Sequence, residues 1–153
     1  MANNPLPVAR TTVSIGGVTG TYDQTTLAAD TYVKIAGVRT VPGFGDTFQD
    51  VTVEEVEDGR TRHAKGTANG QSMQIVCSRR SADPGQVAMN AAAADTQQAY
   101  NLKISIPNGA GDFDIYYLSV LVSSNEKGMG GPNDTQTITF TCQPQEAPIE
   151  VLA

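Results

Sequence analysis

The chain has 153 residues, of which 39% are hydrophobic and 17% charged, with a formal net charge of -6 and a pI near 4.6. This length indicates one domain with a single core, and the acidic balance excludes a general nucleic-acid binder, which needs a net basic face. No apolar run approaches the roughly 20 residues of a membrane span. The first residues also lack the pattern of a signal peptide, so we expect a soluble protein made in a cytoplasm, with no membrane partner.

The first part of the chain predicts short strands separated by turns. Fifteen glycines, many threonines and scattered valine-rich runs are typical of mainly β structure. Residues 1–11 carry two prolines and predict a loose N-terminal arm. "TVSIGG" (residues 12–17) predicts a strand that ends at a glycine pair. "TYVKIAGVRTV" (residues 31–41) predicts a second strand, which Gly37 interrupts.

Residues 44–70 predict a long charged loop with one strand near residues 51–56. Structureless loops of this length inside compact domains tend to be functional. The charged residues change sign along the segment: Asp46, Asp50, Glu54, Glu55, Glu57 and Asp58 are followed by Arg60, Arg62, His63 and Lys65. The carboxylates do not follow the alternate-residue pattern of a calcium loop. The acidic run is therefore either a solvated face or half of an interaction surface, which would meet this basic cluster, or Arg79 and Arg80, on a neighbouring copy.

A clearly marked helix start follows the alternating strand "SMQIVCSRR" (residues 72–80). Asp83 is the predicted N-cap, Pro84 occupies the first helical position, and Gln86 is placed to complete a capping box. The body "QVAMNAAAAD" is rich in alanine, the best helix former. A helix of about 11 residues is marginal alone in water, so we expect it to pack against a sheet.

The rest of the chain predicts three strands. "AYNLKISI" alternates, and "PNG" (residues 107–109) suits a hairpin turn. In "DFDIYYLSVLV" (residues 112–122) the apolar residues change phase, which indicates a bulge or burial on both faces. Residues 123–134 predict a flexible glycine-rich loop, "TQTITFTC" (residues 135–142) an alternating last strand, and residues 144–153 a C-terminal arm.

Two of these strands carry a face of small, wettable side chains. The residues concerned are Asn101, Lys103, Ser105, Thr137, Thr139 and Thr141. The usual interpretation is a solvent-facing side of a sheet. The alternative is a surface past which something slides without sticking.

The sequence has few residues of the types that form catalytic sites, so we do not expect an enzyme. His63 is the one histidine, and a hydrolase or transferase usually needs an imidazole, an activated nucleophile or a metal. Cys77 and Cys142 predict buried free thiols, with a disulfide as the alternative in an oxidising compartment. Together these residues cannot supply a four-ligand zinc site, and no cofactor motif is present. The element order predicts an antiparallel β-sandwich or barrel with one flanking helix and one long loop.

The segment "DPGQ" before a short helix, followed by "YNLKISIPNG" as strand and turn, resembles the major tail tube proteins of long flexible-tailed, lambda-like phages. The charged segment before the helix, the glycine-rich loop and the threonine-alternating last strand occur in the same order. The resemblance covers residues 31–143. It implies a β-sandwich or barrel flanked by a helix, assembled as hexameric rings whose inner sheets join into one barrel. The rings stack into a tube through which DNA passes without specific binding.

The resemblance also implies roles for particular segments. Residues 83–86 start the flanking helix, residues 106–109 form the turn after the next strand, and residues 44–70 stack one ring on the next. The polar faces of the two strands are candidates for the lumen wall or for the outer surface of the tube. The implied partners are the protein itself and the tape measure, terminator and distal tail proteins, in a virion assembled in the host cytoplasm. No C-terminal immunoglobulin-like domain is expected. The alternatives are a monomeric β-sandwich binding or virion decoration module and a ring-forming tube protein of a contractile or secretion apparatus.

Overall fold

The computed structural model describes residues 5–57 and 59–152 of the chain. The secondary structure of this part is mainly β, with two helices. The elements in chain order are β1 (Thr12–Ile15), α1 (Gln24–Ala29), β2 (Val33–Lys34), β3 (Val38–Thr40), β4 (Asp46–Glu54), β5 (Thr61–Gly70), β6 (Met73–Ser78), α2 (Pro84–Ala94), β7 (Tyr100–Pro107), β8 (Phe113–Gly128), β9 (Thr137–Pro144) and β10 (Ile149–Val151). The predicted antiparallel β class with a flanking helix is confirmed. In the described part of the chain, neither helix has the length and hydropathy needed to cross a bilayer.

The main sheet is antiparallel and strongly curled. Its strands lie in the order β2-β1-β7-β8-β9-β6-β3, with β10 added beside β8. Strands β2 and β3 form opposite margins of this sheet, yet only residues 35–37 connect them along the chain. The two margins therefore come close together, and the sheet closes into a half-barrel.

The core lies inside this curl, with α2 packed against it. The largest fully buried side chains on the inner face of the strands include Ile75, Leu102, Ile104, Leu118 and Phe140. Met89 and Ala92 of α2 complete the same cluster. The alternation of apolar and polar residues in β6, β7 and β9 directs one set of side chains into this core, as the sequence predicts.

The start of α2 is confirmed, but the capping box is wrong. The Asp83 carboxylate accepts a hydrogen bond from the backbone N–H of Gln86 at 3.0 Å, and Pro84 is the first helical residue. The Gln86 side chain does not return to the backbone of Asp83. Its amide donates to the carbonyl oxygens of Ala36 and Ser78, both at 2.9 Å, and accepts from the N–H of Arg80 at 2.8 Å. Gln86 thus joins the helix to the link between β2 and β3 and to the end of β6.

The turn between β7 and β8 is confirmed, whereas β8 extends further than predicted. Asn108 N–H donates to the Asp112 carbonyl at 3.1 Å, and Gly109 takes a positive φ of 81°. Strand β8 runs on to Gly128 through part of the segment predicted as a flexible loop, because β9 pairs with it there. Both explanations of the phase change apply, since the β8–β9 register shifts after Val122 and the neighbouring residues Tyr117 and Leu118, on opposite faces of β8, are both buried.

Helix α1 has no counterpart in the sequence predictions. Asp23 caps it by accepting from the N–H of Thr26, and Leu27 on its inner side is fully buried. The Tyr22 hydroxyl donates to the carbonyl oxygens of Ala147 (2.6 Å) and Tyr117 (3.0 Å). This contact fixes residues 16–32, which include α1 and which we call the α1 segment, over the face of β7 and β8 that points away from the core.

Candidate functional site

The segment predicted as a long loop is a β-hairpin. Strands β4 and β5 pair with each other from Asp46–Gly70 to Glu54–Thr61 and with no strand of the main sheet. The prediction of one strand near residues 51–56 is therefore wrong in extent, because β5 adds a second strand whose sequence has no apolar alternation. The hairpin base is fixed, since Gln71 N–H donates to the Gly45 carbonyl at 3.1 Å.

The hairpin projects from the body. Eight of the nine residues of β4 and eight of the ten residues of β5 are exposed. At its base, Phe44 packs edge-on against Tyr116, with ring centroids 4.9 Å apart. A two-stranded hairpin alone is marginally stable in water, so this arm lacks the burial that stabilises the rest of the molecule.

The predicted charged residues all lie in this hairpin, except that Asp58 falls outside the described residues. Antiparallel pairing brings acidic β4 beside basic β5, with Asp50 opposite Lys65 and His63 Nδ1 lying 3.0 Å from Asp50 Oδ2. Of the remaining predicted positions, Asp46 lies at the base of the hairpin and Arg62 lies in β5. The others lie at the tip: Glu54, Glu55, Glu57 and Arg60. The tip carries the exposed Glu54, Glu55 and Glu57.

The hairpin also carries large apolar side chains that the sequence predictions missed. Phe48, Val51 and Val53 are each more than 40% exposed, and Val56 at the tip is fully exposed. Lys65 Nζ lies 5.0 Å from the centroid of the Phe48 ring. The alternation of Val51 and Val53 with polar residues is the signal that could have identified them. Exposed apolar side chains concentrated on a projecting arm are typical of a protein interface.

The two predicted polar strand faces lie on the same side of the main sheet but differ in cover. On β7, Asn101 is only 2% exposed, because its amide donates to Asp30 Oδ2 at 2.9 Å and to Thr19 Oγ1 at 3.3 Å. Lys103 lies beneath the α1 segment, with Nζ 5.7 Å from the centroid of the Tyr32 ring. The assignment of Asn101 to a wettable surface is therefore wrong. Ser105, at the far end of β7, is partly buried.

The carboxylate that holds Asn101 is strongly hydrogen-bonded. Asp30 Oδ2 also accepts from Gly17 N–H at 2.8 Å, and Oδ1 accepts from Thr31 N–H. Burial opposes ionisation of Asp30, but the bonds from Asn101, Gly17 and Thr31 outweigh it and lower the pKa of the carboxyl. Ionised Asp30 thus anchors the segment that covers β7.

The threonine face of β9 is open. Thr137, Thr139 and Thr141 are partly exposed and lie opposite Ser78, Val76 and Gln74 of β6. On the other side they lie opposite Gly128, Glu126 and Ser124 of β8. These nine residues form a mostly polar surface on the side of the sheet away from the core, which we call the threonine face.

The chemistry of the described residues is sparse. No three acidic, histidine or cysteine side chains among residues 5–57 and 59–152 come close enough to hold a metal. Cys77 and Cys142 are free and fully buried, as predicted. Burial raises the pKa of the Cys77 thiol to about 11 and that of Cys142 to about 12, so both thiols are protonated at neutral pH.

Comparison with known proteins gives structural matches only. No family model matches the chain. No curated protein matches its sequence. A chain of the six-fold-symmetrised cryo-EM structure of the anti-feeding prophage (AFP) baseplate is 15% identical with a TM-score of 0.75, over 98% of this chain and 97% of that one. A chain of the PVC extracellular contractile injection system, in its extended sheath-tube complex, is 16% identical with a TM-score of 0.72, over 99% and 94%. A chain of the SPP1 tail tube structure is 12% identical with a TM-score of 0.66, over 95% and 78%.

These matches cover nearly the whole chain and include both a phage tail tube and contractile injection systems. The resemblance in the sequence is therefore confirmed at the level of the fold, without the restriction to long flexible-tailed phages. The chain has a tail-tube-like fold.

Proposed function

We propose that the chain is a structural, non-enzymatic subunit that assembles with copies of itself into hexameric rings and stacks these rings into a tube. One observation carries the proposal: a body with a tail-tube-like fold bears an arm whose apolar residues are exposed. Most of the free arm is exposed and gains little stability from burial. In the proposed tube, the arm packs against the adjacent ring. The stacking role predicted for residues 44–70 is part of this proposal.

The threonine face is the proposed lumen wall. Its hydroxyl and amide side chains provide hydration, Glu126 supplies negative charge, and the guanidinium of Arg39 reaches its margin, where it donates to Ser78 Oγ. Away from this margin, the nine residues of the face offer a polyanion no cationic partner for its phosphates. The half of the same side covered by the α1 segment is unsuited to the role, because Asn101 and Lys103 are occupied by Asp30 and Tyr32.

In a phage tail the proposed tube would conduct the genome during ejection, alongside tape measure, terminator and distal tail proteins. The second candidate is the inner tube of a contractile injection apparatus. The AFP and PVC matches have higher TM-scores than the SPP1 match, and this difference supports the second candidate. Electron microscopy of native particles that react with an antibody to this chain separates the two, since a bare flexible tube supports the first and a sheathed shaft the second.

Assembly is tested with a hairpin deletion. Asp46 and Gly70 face each other as the first pair of the hairpin, so an Asn-Gly turn can replace residues 47–69 without separating the strands that follow. The body should fold, and the variant should form no tubes under conditions in which the full chain does, as judged by cryo-electron microscopy. Tubes of normal length from the deletion variant would refute the stacking role. A full chain that stays monomeric at every salt and protein concentration would refute the proposed function.

The lumen assignment is tested by cysteine labelling. Because Cys77 and Cys142 are buried, a single added cysteine dominates the reaction with a polymer-linked maleimide. Thr139→Cys should react in free subunits and be protected in tubes. Ala91→Cys is the matched control, on an exposed position of α2 on the opposite side of the sheet, and it should react in both states. Equal labelling of Thr139→Cys in tubes and subunits would refute the assignment.

A further inference from the structure

Half of the basic residues of this acidic protein lie at one end of the sheet. The chain has ten Lys and Arg residues. Five of them surround the link between β2 and β3 and the end of β6, and all five are exposed: Arg10, Lys34, Arg39, Arg79 and Arg80. Arg10, Lys34 and Arg80 line one cleft of about 300 Å³ beside Gly37. We call these five residues the basic patch.

Two arginines of the basic patch, Arg39 and Arg79, are held in place by neutral groups. Arg39 Nε donates to Ser78 Oγ at 2.8 Å, and its Nη2 donates to Thr135 Oγ1 at 2.6 Å. Arg79 Nη1 donates to Gln136 Oε1 at 2.9 Å. These bonds orient the guanidinium groups without neutralising them. The nearby Asp83 carboxylate already accepts from the backbone of Gln86 and Ala36.

The opposite charge lies at the other end of β6. The hairpin joins the body just before Met73, while Arg79 and Arg80 follow Ser78. A six-residue strand separates the two by about 20 Å, and the hairpin extends the distance to its acidic tip. Each subunit therefore has an acidic, partly apolar arm leaving one end of β6 and a positive surface at the other. Such a bipolar surface suits head-to-tail association of identical copies.

We propose that the basic patch of one subunit is the seat for the hairpin tip of a subunit in the adjacent ring. Glu54, Glu55 and Glu57 meet the oriented guanidinium groups, while Val56 is removed from water against the aliphatic parts of the same side chains. Complementary charge of this kind fixes register and suppresses wrong orientations. This inference rests on the proposed stacking function and names the surface that stacking uses.

The test is a charge swap. The arm variant carries Glu54→Lys, Glu55→Lys and Glu57→Lys, and the patch variant carries Arg39→Glu and Arg79→Glu. Because each variant brings like charges together at positions 39 and 79, each alone should raise the critical concentration for tube formation by at least about tenfold. A chain with all five substitutions should polymerise more readily than either variant, since the introduced lysines and carboxylates attract each other there while Arg10, Lys34 and Arg80 stay basic. Circular dichroism of the unassembled subunits checks that every variant folds.

The matched control changes net charge equally, away from the basic patch. The control variant carries four substitutions at exposed positions: Gln24→Glu, Thr25→Glu, Gln97→Glu and Gln98→Glu. Together they shift the net charge by the same four units as the patch variant. The control should polymerise like the unaltered chain. Normal tubes from the patch variant, or failure of the five-substitution chain while it remains folded, would overturn the inference. Either outcome leaves the proposed tube function intact, whereas absence of tubes from the unaltered chain refutes that function itself.

Discussion

The curled sheet and the β4–β5 hairpin are both antiparallel, but they obtain their stability from different sources. The sheet surrounds a core in which Ile75, Leu102 and Phe140 are fully buried, and α2 closes it. The hairpin has two strands of nine and ten residues with nothing packed against either face along most of its length. The difference teaches that the body has a core of its own, while the arm has none along most of its length and acquires its burial from other copies only in the proposed tube.

The contact of α2 with the sheet margin should be the most sensitive point of the body. A Cβ on Gly85 would collide with the Lys34 carbonyl and lie 2.6 Å from Ile35 Cα. Gly85→Val should therefore destabilise the subunit by about 3 kcal/mol, measured by urea denaturation. Gly20→Val is the control, because nothing lies within 4 Å of its Cβ position. Equal stability of the two variants would mean that the helix does not need this close approach.

Loss of the Gln86 side chain should have the next largest effect. Gln86→Leu keeps the volume but leaves the Arg80 N–H and the Ala36 and Ser78 carbonyls without their partner. Unsatisfied buried groups of this kind should cost about 2 kcal/mol, again measured by urea denaturation. Gln97→Leu, at an exposed loop position, should cost little. A similar loss in both variants would contradict the bridging role of Gln86.

The Asp30 anchor should give the body a dependence on acid pH. Because the folded-state pKa of Asp30 is lowered, its contribution is complete above the unfolded pKa near 3.8 and is lost as pH falls through the folded value. Asp30→Asn should lower stability by about 1.5 kcal/mol at pH 7, and the difference from the unaltered chain should shrink below pH 4. A difference that stays constant with pH would exclude ionised Asp30 as the anchor.

The hairpin should show the smallest effect on the isolated subunit. Val51→Thr with Val53→Thr removes exposed apolar surface while keeping β propensity, so the unfolding free energy of the monomer should change by less than about 0.5 kcal/mol. Tube formation should nevertheless weaken strongly. Val87→Thr, an exposed valine on α2, is the control and should leave assembly unchanged. A large loss of monomer stability would show that the arm packs within its own chain.

Sequence reasoning succeeded where the signals are local. Asp83 followed by Pro84 predicts the start of α2, and the alternation of β7 with its proline-asparagine-glycine turn predicts the next hairpin. These features need only neighbouring residues. Strand β5 was missed because "TRHAKGTANG" buries no face and therefore carries no apolar period.

The errors that remain arise from contacts distant in sequence. Asn101 lies on an alternating polar face, and only the position of Asp30, 71 residues away, buries it. Gln86 fits a local capping box, but Ala36 and Ser78 supply better partners for its amide once the sheet has curled. Similarly, the glycine-rich segment after Val122 becomes strand because β9 lies beside it. None of these partners can be identified from a spacing along the chain.

The shortness of the two marginal strands, β2 and β3, has a consequence for where another chain can pair with the protein. Strands β2 and β3 contain two and three residues, so the sheet offers few free backbone groups to an incoming chain and is a poor template for amyloid-like fibres. Edge pairing with another chain is therefore left to the long exposed strands of the β4–β5 hairpin, which in the proposed tube lie against the adjacent ring.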